Sequence, residues 1–149
     1  MLARLLEATS PLTHKPNLHS LITMLGRAYA LRDDYMNLAS TEYTQTKGFC
    51  EDLDEGKYSL PVIHALQNLP GPRALILSNM LTQRRMSGKA SPDHKQLILD
   101  MLSEAGSVAH TLDVVRLLQD EVDREIEVVE RQTGMENLQL RAVIELIRV

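Results

Sequence analysis

A short stretch of the sequence combines acidic and amide side chains with regularly spaced lysines. Asp33, Asp34 and Asn37 fall within five residues, and Lys47 and Lys57 follow ten and twenty residues after Asn37. In a helix, Asp33 and Asn37 share one face, whereas Asp34 is displaced from Asp33 by about 100°. Magnesium prefers oxygen ligands and takes only one or two carboxylates from a protein when phosphates and water complete its octahedron. The stretch therefore predicts half of a magnesium-diphosphate site.

The two lysines lie where a loop is expected, because Gly48 and Gly56 stand beside them. An ammonium group in such a loop can act as a point charge on a phosphate. The alternatives are a solvated helix face for the two aspartates and ordinary surface positions for the lysines, since exposed charges are common. The order of the residues along the chain distinguishes these interpretations.

That order resembles the trans-isoprenyl diphosphate synthases, especially the geranylgeranyl diphosphate synthases of fungi and animals. Residues 32–38, Arg-Asp-Asp-Tyr-Met-Asn-Leu, look like the second aspartate-rich motif of that family. Residues 47–53, Lys-Gly-Phe-Cys-Glu-Asp-Leu, and the run from Glu55 to His64 look like its downstream signature. The resemblance implies a prenyltransferase that condenses isopentenyl diphosphate with an allylic diphosphate, with Mg²⁺ as its cofactor.

The resemblance also assigns roles to individual residues. Asp33, Asp34 and Asn37 would hold or orient the third magnesium ion of the family. Lys47 and Lys57 would neutralise charge on the allylic diphosphate, whose departure magnesium and lysines assist. We assign no catalytic residue.

Only the C-terminal half of a family member is matched by this resemblance. Asp33-Asp34 is the only Asp-Asp dipeptide of the sequence, so the first aspartate-rich motif has no counterpart. Ahead of Arg32 the chain reads Tyr29-Ala30-Leu31, where family members commonly read Phe-Gln-Ile. We therefore expect residues 1–149 to form one incomplete polyprenyl-synthase domain without its N-terminal helices.

Two functional hypotheses follow from the resemblance. In the first, the chain is part of a geranylgeranyl diphosphate synthase-like enzyme and is expected to be inactive alone. In the second, it is a non-catalytic interaction or regulatory subunit of a full-length isoprenyl diphosphate synthase. Family members are commonly dimers, so both hypotheses include a homo- or hetero-oligomer with an isoprenyl diphosphate synthase chain.

Composition and charge narrow the possible partners. The formal net charge is −4, and Arg84-Arg85 is the only adjacent basic pair, which does not favour binding to nucleic acid. Cys50 is the sole cysteine, and the five histidines are scattered, so neither an intramolecular disulfide nor a zinc site is expected. No apolar run approaches the roughly 18 residues of a membrane span, and we expect a cytoplasmic protein.

The spacing of apolar residues predicts an all-α fold, which by resemblance is the C-terminal half of an isoprenoid-synthase-type helical bundle. A helix is expected from Met1 to Ala8, and a longer one begins at Pro16-Asn17 and carries Asp33 and Asn37 near its C-terminal end. The Lys47–Lys57 loop leads to a helix near Ser59-Leu60-Pro61, with Ser59 as its N-cap. Further helices are predicted at Arg73–Arg85, Pro92–Glu104, Ser107–Gln132 and Glu136–Arg148.

The helix predicted at Ser107–Gln132 has the clearest periodicity. Its apolar stripe contains Val108, Leu112, Val115, Leu118, Val122, Ile126 and Val129. Its acidic residues are interspersed with Arg116, Arg124 and Arg131, which indicates a charge-balanced solvated face rather than a metal site.

Overall fold

The computed structural model describes residues 17–39, 50–87 and 91–149. This part of the chain contains α-helices and no strand, which confirms the all-α prediction. The helices are α1 (His19–Ala39), α2 (Glu51–Asp54), α3 (Leu60–Asn68), α4 (Gly71–Ser87), α5 (Pro92–Glu104), α6 (Ser107–Thr133) and α7 (Leu138–Leu146). The helix predicted at Met1–Ala8 and the side chain of Lys47 lie outside the described residues.

The boundaries of the longer helices follow local signals. Helix α5 has the predicted bounds, because Ser91 is its N-cap and accepts a 3.3 Å hydrogen bond from the amide of His94. Helix α6 extends one residue beyond the prediction, and Gly134 with φ 69° follows it. Helix α7 begins at Leu138 rather than Glu136, because Asn137 caps it by accepting from the Leu140 amide at 2.9 Å.

Helix α2 lies inside a segment that we predicted to be a loop. It is a single turn, and it follows Cys50, whose φ of 50° is left-handed. Gly56 after the helix also has a positive φ, of 61°. Leu53 is buried, and it anchors this turn in the hydrophobic core. Tertiary packing therefore stabilises a helix too short to show periodicity.

The described residues fall into two compact units. The first consists of residues 17–30 and 114–149, and its core contains Leu21, Val122 and Ile126. The second consists of residues 31–39, 50–87 and 91–113, and its core contains Leu53, Val62, Ala65, Leu77, Leu81, Ile98 and Leu102. Every residue of the predicted α6 stripe is buried or half-buried, which confirms that prediction. None of the described helices is long and apolar enough to cross a membrane.

Candidate functional site

The C-terminal part of α1 holds two of the predicted site residues inside the second unit. Asp34 and Asn37 are both buried, and Asp33 beside them is half-buried. Asp34 Oδ2 accepts a 3.3 Å hydrogen bond from the amide of Leu60, the first residue of α3. Asn37 Oδ1 accepts a 3.3 Å hydrogen bond from the amide of Asp52 in α2. Helix α1 therefore fixes the beginnings of both helices through side-chain acceptors.

The bond from Leu60 explains how α3 begins. Ser59 occupies the predicted N-cap position in an extended conformation, but its side chain makes no capping hydrogen bond. The carboxylate of Asp34 instead accepts from a free amide at the helix N-terminus, where a negative charge is favourable. A residue that was predicted as a metal ligand thus also serves as a tertiary cap.

Lys57 lies between two carboxylates. Its Nζ is 2.8 Å from Asp34 Oδ1 and 2.8 Å from Asp52 Oδ2. Its backbone amide donates to the Asp52 carbonyl oxygen at 3.0 Å, so side chain and backbone are both tied to Asp52. We call Lys57, Asp34 and Asp52 the lysine cluster.

The lysine cluster keeps its ammonium group charged. Partial burial would by itself lower the pKa of Lys57, but the hydrogen bonds with Asp34 and then with Asp52 outweigh that effect. The pKa of Lys57 is therefore raised well above its ordinary value. At neutral pH this group therefore carries a positive charge.

The structure brings together Asp34, Asn37 and Lys57 from the predicted set. Asp52 was missed, although its side chain and backbone join α2 to both α1 and Lys57. Two signals were available: its place in the motif of residues 47–53, and its five-residue spacing from Lys57 across Gly56, where a turn returns the chain. Lys47 cannot be placed in this set, since it lies outside the described residues.

The donor chemistry of the site suits a magnesium ion. Asp33 and Asp34 offer carboxylate oxygens and Asn37 an amide oxygen, the hard donors that Mg²⁺ prefers. Among the described residues, no group of three or more His, Cys, Asp or Glu side chains could hold a metal ion by itself. A cation here would need oxygen ligands from another source, such as substrate phosphate or water.

A second ion pair joins α2 to a helix later in the sequence. Lys95 of α5 is buried, and its Nζ lies 2.6 Å from Asp54 Oδ2. Cys50, at the start of α2, is also buried, and this burial raises the pKa of its thiol. The helix is therefore held by an apolar anchor, Leu53, and by a charged one.

Two histidines of the second unit also contact each other. The imidazole rings of His64 and His110 are stacked with centroids 4.1 Å apart, and His64 Nδ1 lies 3.0 Å from Ser107 Oγ. Burial, and secondarily the charge of His110, lower the pKa of His64. The neutral ring is therefore the favoured form of His64 near neutral pH.

The acidic face of α6 belongs to the first unit, and two of its acidic residues form ion pairs with arginines. Arg148 pairs with Asp123 and, at 2.7 Å, with Glu145; we call these three residues the arginine cluster. Arg141 pairs with Glu130 at 2.5 Å. The pairing cations thus follow α6 in the chain, rather than being the arginines within it.

Known proteins are similar to this chain over most or all of its length. The Polyprenyl synthetase family profile matches residues 1–102. Phomopsene synthase from Phomopsis amygdali is 46% identical over 149 residues, covering all of this chain and 20% of that protein. Geranylgeranyl pyrophosphate synthase A from the same organism is 44% identical over 133 residues, covering 89% of this chain and 34% of that protein.

A third relative is also similar over nearly the whole chain. The bifunctional type I diterpene synthase tndC from Aspergillus flavipes is 44% identical over 148 residues, which cover 99% of this chain and 19% of that protein. The chain therefore spans about one fifth to one third of the length of these curated relatives.

Proposed function

Since the chain belongs to the polyprenyl synthetase family, we propose that it supplies part of the allylic diphosphate site of a prenyltransferase. The reaction is the condensation of isopentenyl diphosphate with an allylic diphosphate. The observation that carries this proposal is the position of Lys57, whose charged Nζ lies 2.8 Å from both Asp34 and Asp52. A cation fixed beside a set of oxygen donors suits a ligand that combines phosphate with a divalent metal.

Asp33, Asp34 and Asn37 would hold the Mg²⁺ ion of this site. Bound magnesium supplies electrostatic stabilisation to the diphosphate as it leaves the allylic carbon. Both oxygens of Asp34 already accept bonds, one from Lys57 and one from the Leu60 amide. Magnesium ligation by Asp34 would therefore compete with Lys57, whereas Asp52 can retain its contact with that lysine.

Lys57 would act on the diphosphate as a charge and not as an acid. Its raised pKa keeps the ammonium protonated through the physiological range, so it neutralises the negative charge that accumulates on the leaving group. Asp52 orients the ammonium by holding both its Nζ and its backbone amide. Lys47 is proposed as a second phosphate contact on the basis of the sequence motif.

We further propose geranylgeranyl diphosphate as the product of the enzyme. The support is the 44% identity to geranylgeranyl pyrophosphate synthase A, together with the aspartate-rich and lysine motifs of residues 32–38 and 47–64. The names of other relatives refer to diterpene and sesterterpene synthases, so the product length is the part of the proposal that an assay must decide.

The test is binding of inorganic diphosphate to the 149-residue chain, measured by calorimetry with and without Mg²⁺. We expect magnesium-dependent binding that weakens about tenfold in Lys57→Met, because a charged contact is lost. Arg148→Met is the matched control, since it removes a cation from the arginine cluster, and it should bind like the wild type. Equal affinity of Lys57→Met and the wild type would contradict the proposal.

Activity is then assayed with isopentenyl diphosphate, allylic diphosphates and Mg²⁺, with the chain alone and with a full-length homologue. Turnover that requires addition of a segment carrying the first aspartate-rich motif supports the hypothesis that the chain is part of an enzyme. An effect on the homologue that is unchanged in Lys57→Met supports the regulatory-subunit hypothesis instead. Chromatography of the product measures its chain length.

A further inference from the structure

Helix α2 must be held in place by the rest of the protein. A single helical turn forms one or two internal hydrogen bonds for several fixed residues and is unstable by itself. The turn is nevertheless important for the lysine cluster, because Asp52 belongs to it. What fixes α2 therefore also fixes the position of Lys57.

Two backbone contacts report the position of this turn. The amide of Asp52 donates to Asn37 Oδ1 at 3.3 Å, and the amide of Lys57 donates to the Asp52 carbonyl oxygen at 3.0 Å. Unfolding of α2 would break both bonds and would free Asp52 Oδ2 from its position beside the ammonium. The geometry of the diphosphate site consequently depends on the attachments of α2.

The charged attachment comes from a residue far away in the sequence. Asp54 closes α2, and its carboxylate lies 2.6 Å from Nζ of Lys95, 41 residues later. The side chain of Lys95 is only 9% exposed and that of Asp54 18%, so solvent screens this pair far less than an exposed ion pair. Lys95 also belongs to α5, whose residues Ile98 and Leu102 are fully buried in the core. The pair therefore connects α2 to a firmly packed helix.

We propose that Lys95 is a positioning residue of the diphosphate site: through Asp54 it holds α2 so that Asp52 can fix Lys57 beside Asp34. The ligand part of this inference rests on the proposed function. The structural part does not, because it concerns contacts between residues of the protein itself. In this role Lys95 acts on Lys57 through α2.

Hydrogen exchange tests the structural part. In Lys95→Met, exchange of the Asp52 and Lys57 amides should become faster than in the wild type, because both report α2. Lys95→Arg keeps a cation opposite Asp54 and should restore most of the protection. The matched control is Leu102→Ala, which destabilises the same helix through the core and leaves the ion pair in place. Exchange that rises no more in Lys95→Met than in this control overturns the proposal.

A second variant separates loss of the ion pair from misfolding of the protein. Lys95→Met leaves the carboxylate of Asp54 without this cation, so the double variant Asp54→Asn with Lys95→Met removes the pair without creating that imbalance. It should fold and still show faster exchange at Asp52 and Lys57. Wild-type exchange rates at these amides in a folded double variant would contradict a positioning role.

Calorimetry with inorganic diphosphate and Mg²⁺ tests the functional part. The affinity should fall about tenfold in Lys95→Met, as is usual when a residue that orients a ligand-binding group is removed. Folded Leu102→Ala should bind like the wild type. If the wild type itself binds no diphosphate, the proposed function fails, and the exchange comparison alone decides whether Lys95 positions α2.

Discussion

The lysine cluster and the arginine cluster have the same composition, two carboxylates around one cation, but they differ in burial and attachment. The carboxylate side chains of the lysine cluster are 11% and 16% exposed, whereas those of the arginine cluster are 32% and 73% exposed. Exposed pairs gain little free energy, because water and salt screen their attraction. A cation between two carboxylates can therefore be held firmly in one part of the protein and form a weak surface contact in another.

The attachments of the carboxylates increase this difference. Asp34 also accepts a hydrogen bond from the Leu60 amide. The backbone amide of Asp52, in α2, donates a hydrogen bond to Asn37. In the arginine cluster, Glu145 lies three residues before Arg148, so that contact is local. Each cluster has one local contact and one contact across more than 20 positions, and the lysine cluster adds the bonds with the amides of Leu60 and Asp52.

The cation itself also differs. Arg148 presents a planar guanidinium that satisfies two carboxylates with separate nitrogens, whereas Lys57 uses one ammonium atom for both contacts. An ammonium can exchange one carboxylate for a phosphate oxygen while it keeps the other. The chemistry of the cation and the attachments of its partners therefore distinguish the proposed binding site from a surface pair.

The largest effect is expected from neutralising one carboxylate in each cluster. Asp34→Asn keeps an oxygen that can accept from the Leu60 amide, but it removes the charge that Mg²⁺ and Lys57 require. Magnesium-dependent diphosphate affinity should fall by about 10- to 100-fold, whereas Asp123→Asn should leave it unchanged. Calorimetry on both folded variants measures the difference. Equal losses in the two variants would remove the distinction between the clusters.

A smaller effect is expected on stability when a buried amide side chain is removed. Asn37→Ala leaves the Asp52 amide without its acceptor, which should lower the free energy of unfolding by about 1–3 kcal/mol. Gln119→Ala is the control in the first unit, because Gln119 is also buried and donates to the Ile147 carbonyl over a longer 3.4 Å. Urea unfolding should show the smaller loss for Gln119→Ala. A larger loss there would mean that the contacts of α1 with α2 carry little weight.

The sequence was sufficient for the long helices. Helix α5 and helix α6 were predicted to within one residue, because caps and glycines mark their ends and apolar periodicity marks their faces. Helix α2 could not be predicted, since one turn has no periodicity and depends on the burial of Leu53 and on the Lys95 pair. Its existence is a consequence of tertiary packing.

The residues of the candidate site were likewise predicted only in part from the sequence. The family resemblance selected Asp34, Asn37 and Lys57, and the structure brings these three together. Asp52 lies inside the motif of residues 47–53 but was given no role there, and Lys95 lies outside both motifs. The contacts of both residues arise from partners that the fold brings near. The proposed ligand contacts were therefore selected by motif, whereas the proposed positioning residue was found from its contacts in the structure.

The smallest expected effect is the pH dependence of the two cations. The pKa of Lys57 is raised above its ordinary value of 10.5, so its contribution to stability is complete below pH 10.5 and is lost as the pH rises through the folded-state pKa. Because the side chain is 40% exposed, this contribution is screened to about 1 kcal/mol or less. The stability difference between wild type and Lys57→Met should stay constant from about pH 8 to 10 and shrink above 10.5.

Arg148→Met provides the contrast for that titration. The pKa of Arg148 is raised by its hydrogen bond with Asp123, partly offset by burial, so its guanidinium stays charged over the whole range. Its difference from wild type in urea unfolding should therefore not change with pH. A Lys57→Met difference that already shrinks between about pH 8 and 10 would show that Asp34 and Asp52 do not hold the ammonium as the structure indicates.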